Sequence, residues 1–253
     1  MGVHPLAEPP PADQPARGCL DCGNTLLPGQ KFCAQCGQRA SVGRLTLHDI
    51  GHEFVHALVH TDRSVYALLR SLVLRPGIVA REYVLGKRRR YFGPFATLVI
   101  LIGISTLLSE LLGFESITSA ESLNGLQSFL NRHVNLIVFA QVPLFGLLCM
   151  GLFRADHFSF AEHAVMVAYA FCLRVLLFLF IGLPFWYFFH NPALLGWVLL
   201  VTWSVYFGFA ATQFYSGNRL ATWLKGAVAA ALLLQLSAVL INGLAAGYDR
   251  LWR

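Results

Sequence analysis

Charge is scarce in this chain: 13% of its 253 residues are Asp, Glu, Lys or Arg, against roughly 25% in an ordinary soluble domain. Hydrophobic residues make up 56%, and the mean hydropathy is +0.59. Together these values exclude a disordered chain, a collagen and an ordinary soluble globule. Strand-like alternation of useful length is absent, as is a convincing internal repeat. The N-terminal stretch MGVHPLAEPPPADQPARG lacks the apolar segment of a secretory signal. Leu6 stands where the N-myristoylation pattern asks for Ser or Thr.

What charge there is lies at one end. Residues 1–93 hold 12 Lys+Arg and 7 Asp+Glu, a net of +5, whereas residues 94–253 hold 7 and 6, a net of +1. Five of the 11 prolines fall in the first fifteen residues. The expected organisation is a disordered Pro-rich tail over 1–17, a cysteine module over 18–40, an amphipathic helical collar over 46–92 and a transmembrane bundle over 93–253. The collar divides into Thr46–Val59, Ser64–Val73 and Pro76–Gly86, with Pro76 suited to open a helix. A span needs about 20 apolar residues. Uncharged or nearly uncharged runs place spans at about 94–112, 134–153, 163–189 (with Pro184 as a kink), 193–214 and 226–248. The count is five, or four if the third or fifth lies in the interface.

The run Lys87-Arg88-Arg89-Arg90 immediately precedes the first span. By the positive-inside rule it puts the N-terminus in the cytoplasm, and the same four residues would seat the collar on anionic headgroups. Arg219 and Lys225, after the fourth span, agree with this orientation; Arg250 and Arg253 run against it.

Four of the six cysteines fall between Cys19 and Cys36. Cys19-Leu-Asp-Cys22-Gly23 and Cys33-Ala-Gln-Cys36-Gly37 are two tight CxxC turns, each aiming a pair of sulfurs at one point. Facing each other, Cys19, Cys22, Cys33 and Cys36 complete a tetrahedral thiolate site for one structural Zn2+ per chain. Four thiolates leave no open coordination position, which argues against catalysis at this metal. Phe32 is expected to cover the site. Arg17, Lys31, Arg39 and Arg44 flank it, but without an aromatic platform they make a weak case for nucleic acid. Docking onto a protein partner or onto the membrane domain is the preferred reading.

His48, His52, His56 and His60 recur every four residues, on one face of a helix. They include the string His52-Glu53-Phe54-Val55-His56, the pattern in which two histidines bind zinc and Glu53 activates water. No third ligand or supporting motif accompanies it, and a wet face of an interfacial helix is the preferred reading of the stripe. A membrane metallohydrolase using His52, Glu53 and His56 is therefore an alternative, not the main reading. Within the spans Arg174 is the costliest side chain, a functional candidate by default. Gln235 lies at a similar depth in the fifth span, so the two could pair. A small transporter or channel-like bundle using Arg174 is the second alternative. Glu162 and His163 are further candidates.

The order CxxCG…FCAQCGQ, then RPGIVAREYVLGKRRRYFGPF, then apolar spans holding FAEHAVMVAYAF, resembles a bacterial family of zinc-ribbon, multi-pass inner-membrane proteins classed as a domain of unknown function. The resemblance covers roughly residues 19–175. Its most specific strings are Cys33–Gln38, Arg75-Pro76-Gly77, Arg81-Glu82-Tyr83, Gly86-Lys87-Arg88 and Arg90-Tyr91; the Glu162-His163 pair also fits. It implies a cytoplasmic ribbon on an inner-membrane helical bundle and brings no activity. The expected fold is thus an all-α membrane protein of about five transmembrane helices, preceded by amphipathic interfacial helices and a small N-terminal zinc ribbon. The expected function is that of a non-enzymatic scaffold or regulatory protein, with anionic lipid and a cytoplasmic protein as partners and a homo-oligomer as one possible state.

Overall fold

A computed structural model describes residues 17–47, 49, 64–112 and 134–251. Two short strands, β1 (Arg17–Gly18) and β2 (Thr25–Leu26), pair antiparallel, with Arg17 opposite Leu26. The helices follow: α1 (Ser64–Leu74), α2 (Pro76–Val84), α3 (Pro94–Leu111), α4 (Val134–Leu152), α5 (Phe160–Leu177), α6 (Leu183–Phe189), α7 (Pro192–Phe214) and α8 (Arg219–Leu251).

Among the described residues four helical stretches are long and apolar enough to cross a membrane: Pro94–Leu111, Phe160–Phe189, Ala193–Phe214 and Arg219–Ser237. The expected count was about five. Helix α4 occupies the position of the second expected span, but its described apolar stretch, Gln141–Leu152, is shorter. Large apolar side chains such as Leu107, Leu147, Phe188, Val201 and Leu232 point outward. That is the pattern of a bundle whose solvent is hydrocarbon.

Helix boundaries follow local chemistry. The third expected span began at 163; α5 begins at Phe160, because Ser159 caps it. The Ser159 Oγ accepts from the Glu162 amide at 3.3 Å, and the Ser159 amide donates to Glu162 Oε2 at 2.6 Å, a complete capping box. The fifth began at 226; α8 begins at Arg219, where Asn218 Oδ1 accepts from the Leu220 and Ala221 amides. Charge at Arg219 and Lys225 does not interrupt a helix at a membrane surface. Pro184 marks a change of winding as expected: it removes a donor, and the backbone answers with a π turn over Phe178–Gly182 just before α6.

Helix α5 is the axis of the fold. Fifteen of its 18 residues are buried, from Ala161 to Leu176, against α2, α3, α4 and α7. Phe145, Phe171, Trp203 and Phe207 interlock at its centre, with ring centroids 4.6–6.1 Å apart.

The collar does not all lie on the surface. Helix α2 buries Pro76, Gly77, Val79, Ala80, Tyr83 and Val84 between α5 and α7. No side chain of its own segment caps it. Instead Gln213 of α7 reaches across, its Oε1 accepting from the Gly77 amide at 3.0 Å and the Ile78 amide at 3.4 Å. That satisfies donors which a buried helix start would leave orphaned. Thr46 and Asp49 exchange cap bonds of 2.8–3.2 Å at the start of the first collar piece; most of that piece, with the histidine stripe, lies outside the described residues.

Candidate metal centre and its seat on the bundle

The cysteine module is built from the same turn made twice. In the first, the Gly23 amide donates to the Cys19 carbonyl at 2.9 Å and the Cys19 amide to Asn24 O at 2.8 Å. In the second, the Gly37 amide donates to the Cys33 carbonyl at 2.9 Å and the Cys33 amide to Gln38 O at 2.8 Å. Gly23 and Gly37 sit at φ +75° and +73°, where a Cβ would strain the backbone. Each turn closes with a strand pair: β1 with β2 in the first, Phe32 opposite Arg39 in the second.

All four cysteine ligand atoms lie within 4.8 Å of one another. The Cys19–Cys36 and Cys22–Cys33 sulfurs are 3.5 and 3.6 Å apart. A tetrahedral ion with metal–sulfur bonds of about 2.3 Å sets sulfurs about 3.8 Å apart, so the four residues fit such an ion. The thiols also compete for protons. Hydrogen bonding from the Cys36 amide, against the cost of burial, draws Cys33 down to about 6. The Gln38 amide acts the same way on Cys36, but burial and the three neighbouring sulfurs outweigh it and push that thiol up to about 12. A metal ion at this site therefore displaces protons, and its affinity is expected to fall as pH falls. Titrating the purified chain with Zn2+ between pH 6 and pH 8 checks this; an affinity independent of pH contradicts it.

Phe32 does not cover the site. It is 55% exposed, and the buried Cys19 and Cys33 pack against Leu26 and Ala40. The ribbon is clamped to the collar and bundle at three places. Gln38, 4% exposed, donates from Nε2 to the Gly86 carbonyl at 2.8 Å and accepts at Oε1 from the Arg89 amide at 3.1 Å. Leu20 and Val42 lie against Gly86, at 3.2 and 3.3 Å from where its Cβ would stand. Arg44, on the arm leaving the ribbon, grips Glu162 with both ends of its fork, Nε to Oε1 at 3.1 Å and Nη2 to Oε2 at 3.0 Å. Such bidentate pairs are strong and directional.

Gln38→Ala leaves the Arg89 amide without a partner and removes one of two donors from the Gly86 carbonyl, which keeps the Arg88 amide at 2.8 Å, a loss of about 1–3 kcal/mol. The expected result is a ribbon that keeps its metal but is cleaved faster by trypsin at Arg39. Equal cleavage rates would mean that the ribbon is held elsewhere.

The basic belt divides. Lys87 pairs with Glu82 at 2.9 Å, and the Arg88 guanidinium donates to the Gly43 carbonyl at 3.3 Å. Arg89 and Arg90 are exposed. Burial raises the Glu82 carboxyl, yet hydrogen bonds from Lys87 and Tyr91 hold it below its ordinary value. Tyr91 is pushed up to about 12 by burial and by donating to that carboxylate. Two of the four cations thus tie the collar to itself and to the ribbon arm.

Arg174 does not meet Gln235, which faces outward. Its Nη1 donates to Gln141 Oε1 of α4 at 3.0 Å, and its guanidinium lies 5.5 Å over the Phe171 ring. Depth along two separate helices gave no information about facing, and α4 supplied the nearer amide. His163 is 1% exposed and shares a 2.8 Å hydrogen bond between Nδ1 and the Tyr215 hydroxyl. Glu162 and His163 are neighbours in sequence but serve different partners. His52, Glu53 and His56 lie outside the described residues. Gln38 and Arg44 carry the clamp; in sequence Gln38 showed only as the end of the FCAQCGQ string and Arg44 only as a flanking cation.

Fold and site together define a membrane-like helical protein carrying an N-terminal four-cysteine cluster. Residues 62–106 match the model of a family described as a protein of unknown function, DUF3667. The match fits the resemblance drawn from sequence and falls on α1, α2, the basic belt and most of α3, the first of the apolar spans. No curated protein and no solved structure matches the chain.

Proposed function

We propose that this is a non-enzymatic scaffold of the bacterial inner membrane, with the ribbon on the cytoplasmic side holding a structural Zn2+ and presenting its free face to a protein partner. The observation that carries the reading is the two-faced ribbon. One face is clamped to the bundle through Gln38 and Arg44, and the other stays open. On the open face Leu27 and Phe32 are 64% and 55% exposed. They line, with Arg17, Lys31 and Arg39, a shallow groove of about 520 Å³. Apolar anchors ringed by cations suit an acidic segment with an apolar side chain. All-thiolate ligation favours zinc and leaves no position for substrate; when bound, the ion supplies cross-linking in place of a core. Lys87–Arg90 add contact with anionic headgroups, chiefly through the exposed Arg89 and Arg90.

Photocrosslinking in native membranes tests the reading. A crosslinker at Phe32 is expected to trap a discrete second protein, one at Leu20 only this chain, and Lys31→Glu with Arg39→Glu should abolish the adduct. The same products from both positions, or none from Phe32, would contradict it. No observation favours the metallohydrolase or the transporter alternative.

A further inference from the structure

A second cleft, of about 660 Å³, opens where the ribbon arm meets the ends of α4 and α5, and none of the four cysteines or four belt residues lines it. One wall is apolar: Leu147 and Met150 of α4, 51% and 38% exposed, continue the outward-facing surface of the bundle into the cleft. The rim is cationic. Arg154 lies in the turn after α4, exposed and with no hydrogen bond or ion pair to its side chain among the described residues. Arg44, from the ribbon arm, lines the same cleft. Its Nε and Nη2 are committed to Glu162 and to the His157 carbonyl, the latter at 2.6 Å, while its side chain remains 60% exposed.

Two histidines complete the lining. His157 is exposed, held at φ +53° between α4 and α5. His163 gives Nδ1 to Tyr215, leaving Nε2 as its second ring nitrogen. Among the described residues no carboxylate lines the cleft. The two nearby are committed: Glu162 to Arg44, and Asp156 to the Ser216 amide at 2.8 Å. The lining therefore offers the unpaired Arg154 guanidinium with the Glu162-bound Arg44 as second cation, and it opens beside an outward-facing apolar wall. A soluble anion would use the rim and ignore the wall; a neutral lipid would do the reverse. An amphiphile with an anionic head uses both.

We propose that this cleft binds the phosphate of an anionic phospholipid, its head between Arg154 and Arg44 and its chains along Leu147 and Met150. Because Arg44 also clamps the ribbon arm to Glu162, the lipid would bear on the same clamp that seats the ribbon. The site does not depend on the scaffold reading or on the metal.

Native mass spectrometry of the full chain, released from micelles containing equimolar phosphatidylglycerol and phosphatidylcholine, tests the proposal. One phosphatidylglycerol is expected to stay bound, with phosphatidylcholine lost. Arg154→Gln should lower that retention about tenfold, the scale of one hydrogen bond to a charged group, while Arg70→Gln, at an exposed arginine of α1 outside both cleft and belt, leaves it unchanged. Arg154→Lys, which keeps the charge and loses the fork, carries the comparison if the Gln variant fails to fold, with a several-fold loss expected. Competition with millimolar inorganic phosphate separates the sources. Persistence assigns the site to the intact lipid, as proposed; displacement assigns it to phosphate as such and overturns the lipid assignment. Equal retention of both lipids, or retention lost in Arg70→Gln and kept in the Arg154 variants, overturns the proposal as well.

Discussion

Replacing Cys33 with serine is expected to unfold the ribbon and leave the bundle in the membrane. The ribbon has almost no core of its own: Cys19, Leu26 and Cys33 form its buried cluster, with Cys36 and Ala40 against it. A domain so small depends on metal, and structural zinc contributes on the order of 10 kcal/mol to such folds. The bundle depends on none of it. Its core runs from Leu45 through α5 to Leu233 and shares no residue with the ribbon cluster. The variant should lose its metal and become trypsin-sensitive at Lys31 and Arg39, yet fractionate with membranes and elute from detergent as the wild type does. The Arg44–Glu162 fork and the buried Leu45 should stop the unravelling at the ribbon arm. A metal-free ribbon that resists trypsin would mean that its contacts with the bundle suffice. Loss of membrane insertion would mean that ribbon and bundle are one folding unit.

The second large effect is expected at Gly77. A Cβ built there would stand 2.0 Å from the Ala210 carbonyl oxygen, 2.6 Å from Gln213 Cβ and 2.9 Å from the Phe214 amide nitrogen. Two of these neighbours are backbone atoms of α7, so no rotamer change relieves the clash. Either α2 lifts off α7 and loses the Gln213 bonds that cap it, or the bundle shifts. Gly77→Ala should destabilise the protein by about 3 kcal/mol or more, at or beyond the upper end for overpacked cores. Gly103→Ala in α3 is the matched control, since nothing lies within 4 Å of its added methyl. Thermal unfolding in detergent separates the two; similar midpoints would show that α2 is not seated against α7 as described.

These two sites show what the sequence made legible. The CxxC spacing set the thiolate cluster because two short turns leave four sulfurs few other arrangements. The apolar runs located the helices because length and polarity alone decide whether a segment belongs in hydrocarbon. Ser159-Phe-Ala-Glu162 spelled a capping box that would have moved the third span's start to Phe160. Facing was not legible. Arg174 paired with Gln141 rather than Gln235, because which sides of two distant helices meet depends on tertiary packing that no local pattern carries. The clamp was hidden for the same reason: Gln38 reaches Gly86, and Arg44 reaches Glu162 from far along the chain. The Pro76-Gly77 pair reads in sequence as a helix start, which it is, but its closer constraint is the contact with α7.

The most direct test of a single structural ion in a ribbon seated on a membrane bundle is the metal content of the full chain, purified in detergent. The expected result is one zinc per chain in the wild type and none after Cys33→Ser. Zinc retained without Cys33, or no metal in the wild type, would contradict the account; a second zinc lost on changing His52 and His56 to alanine would move the chemistry to the histidine stripe.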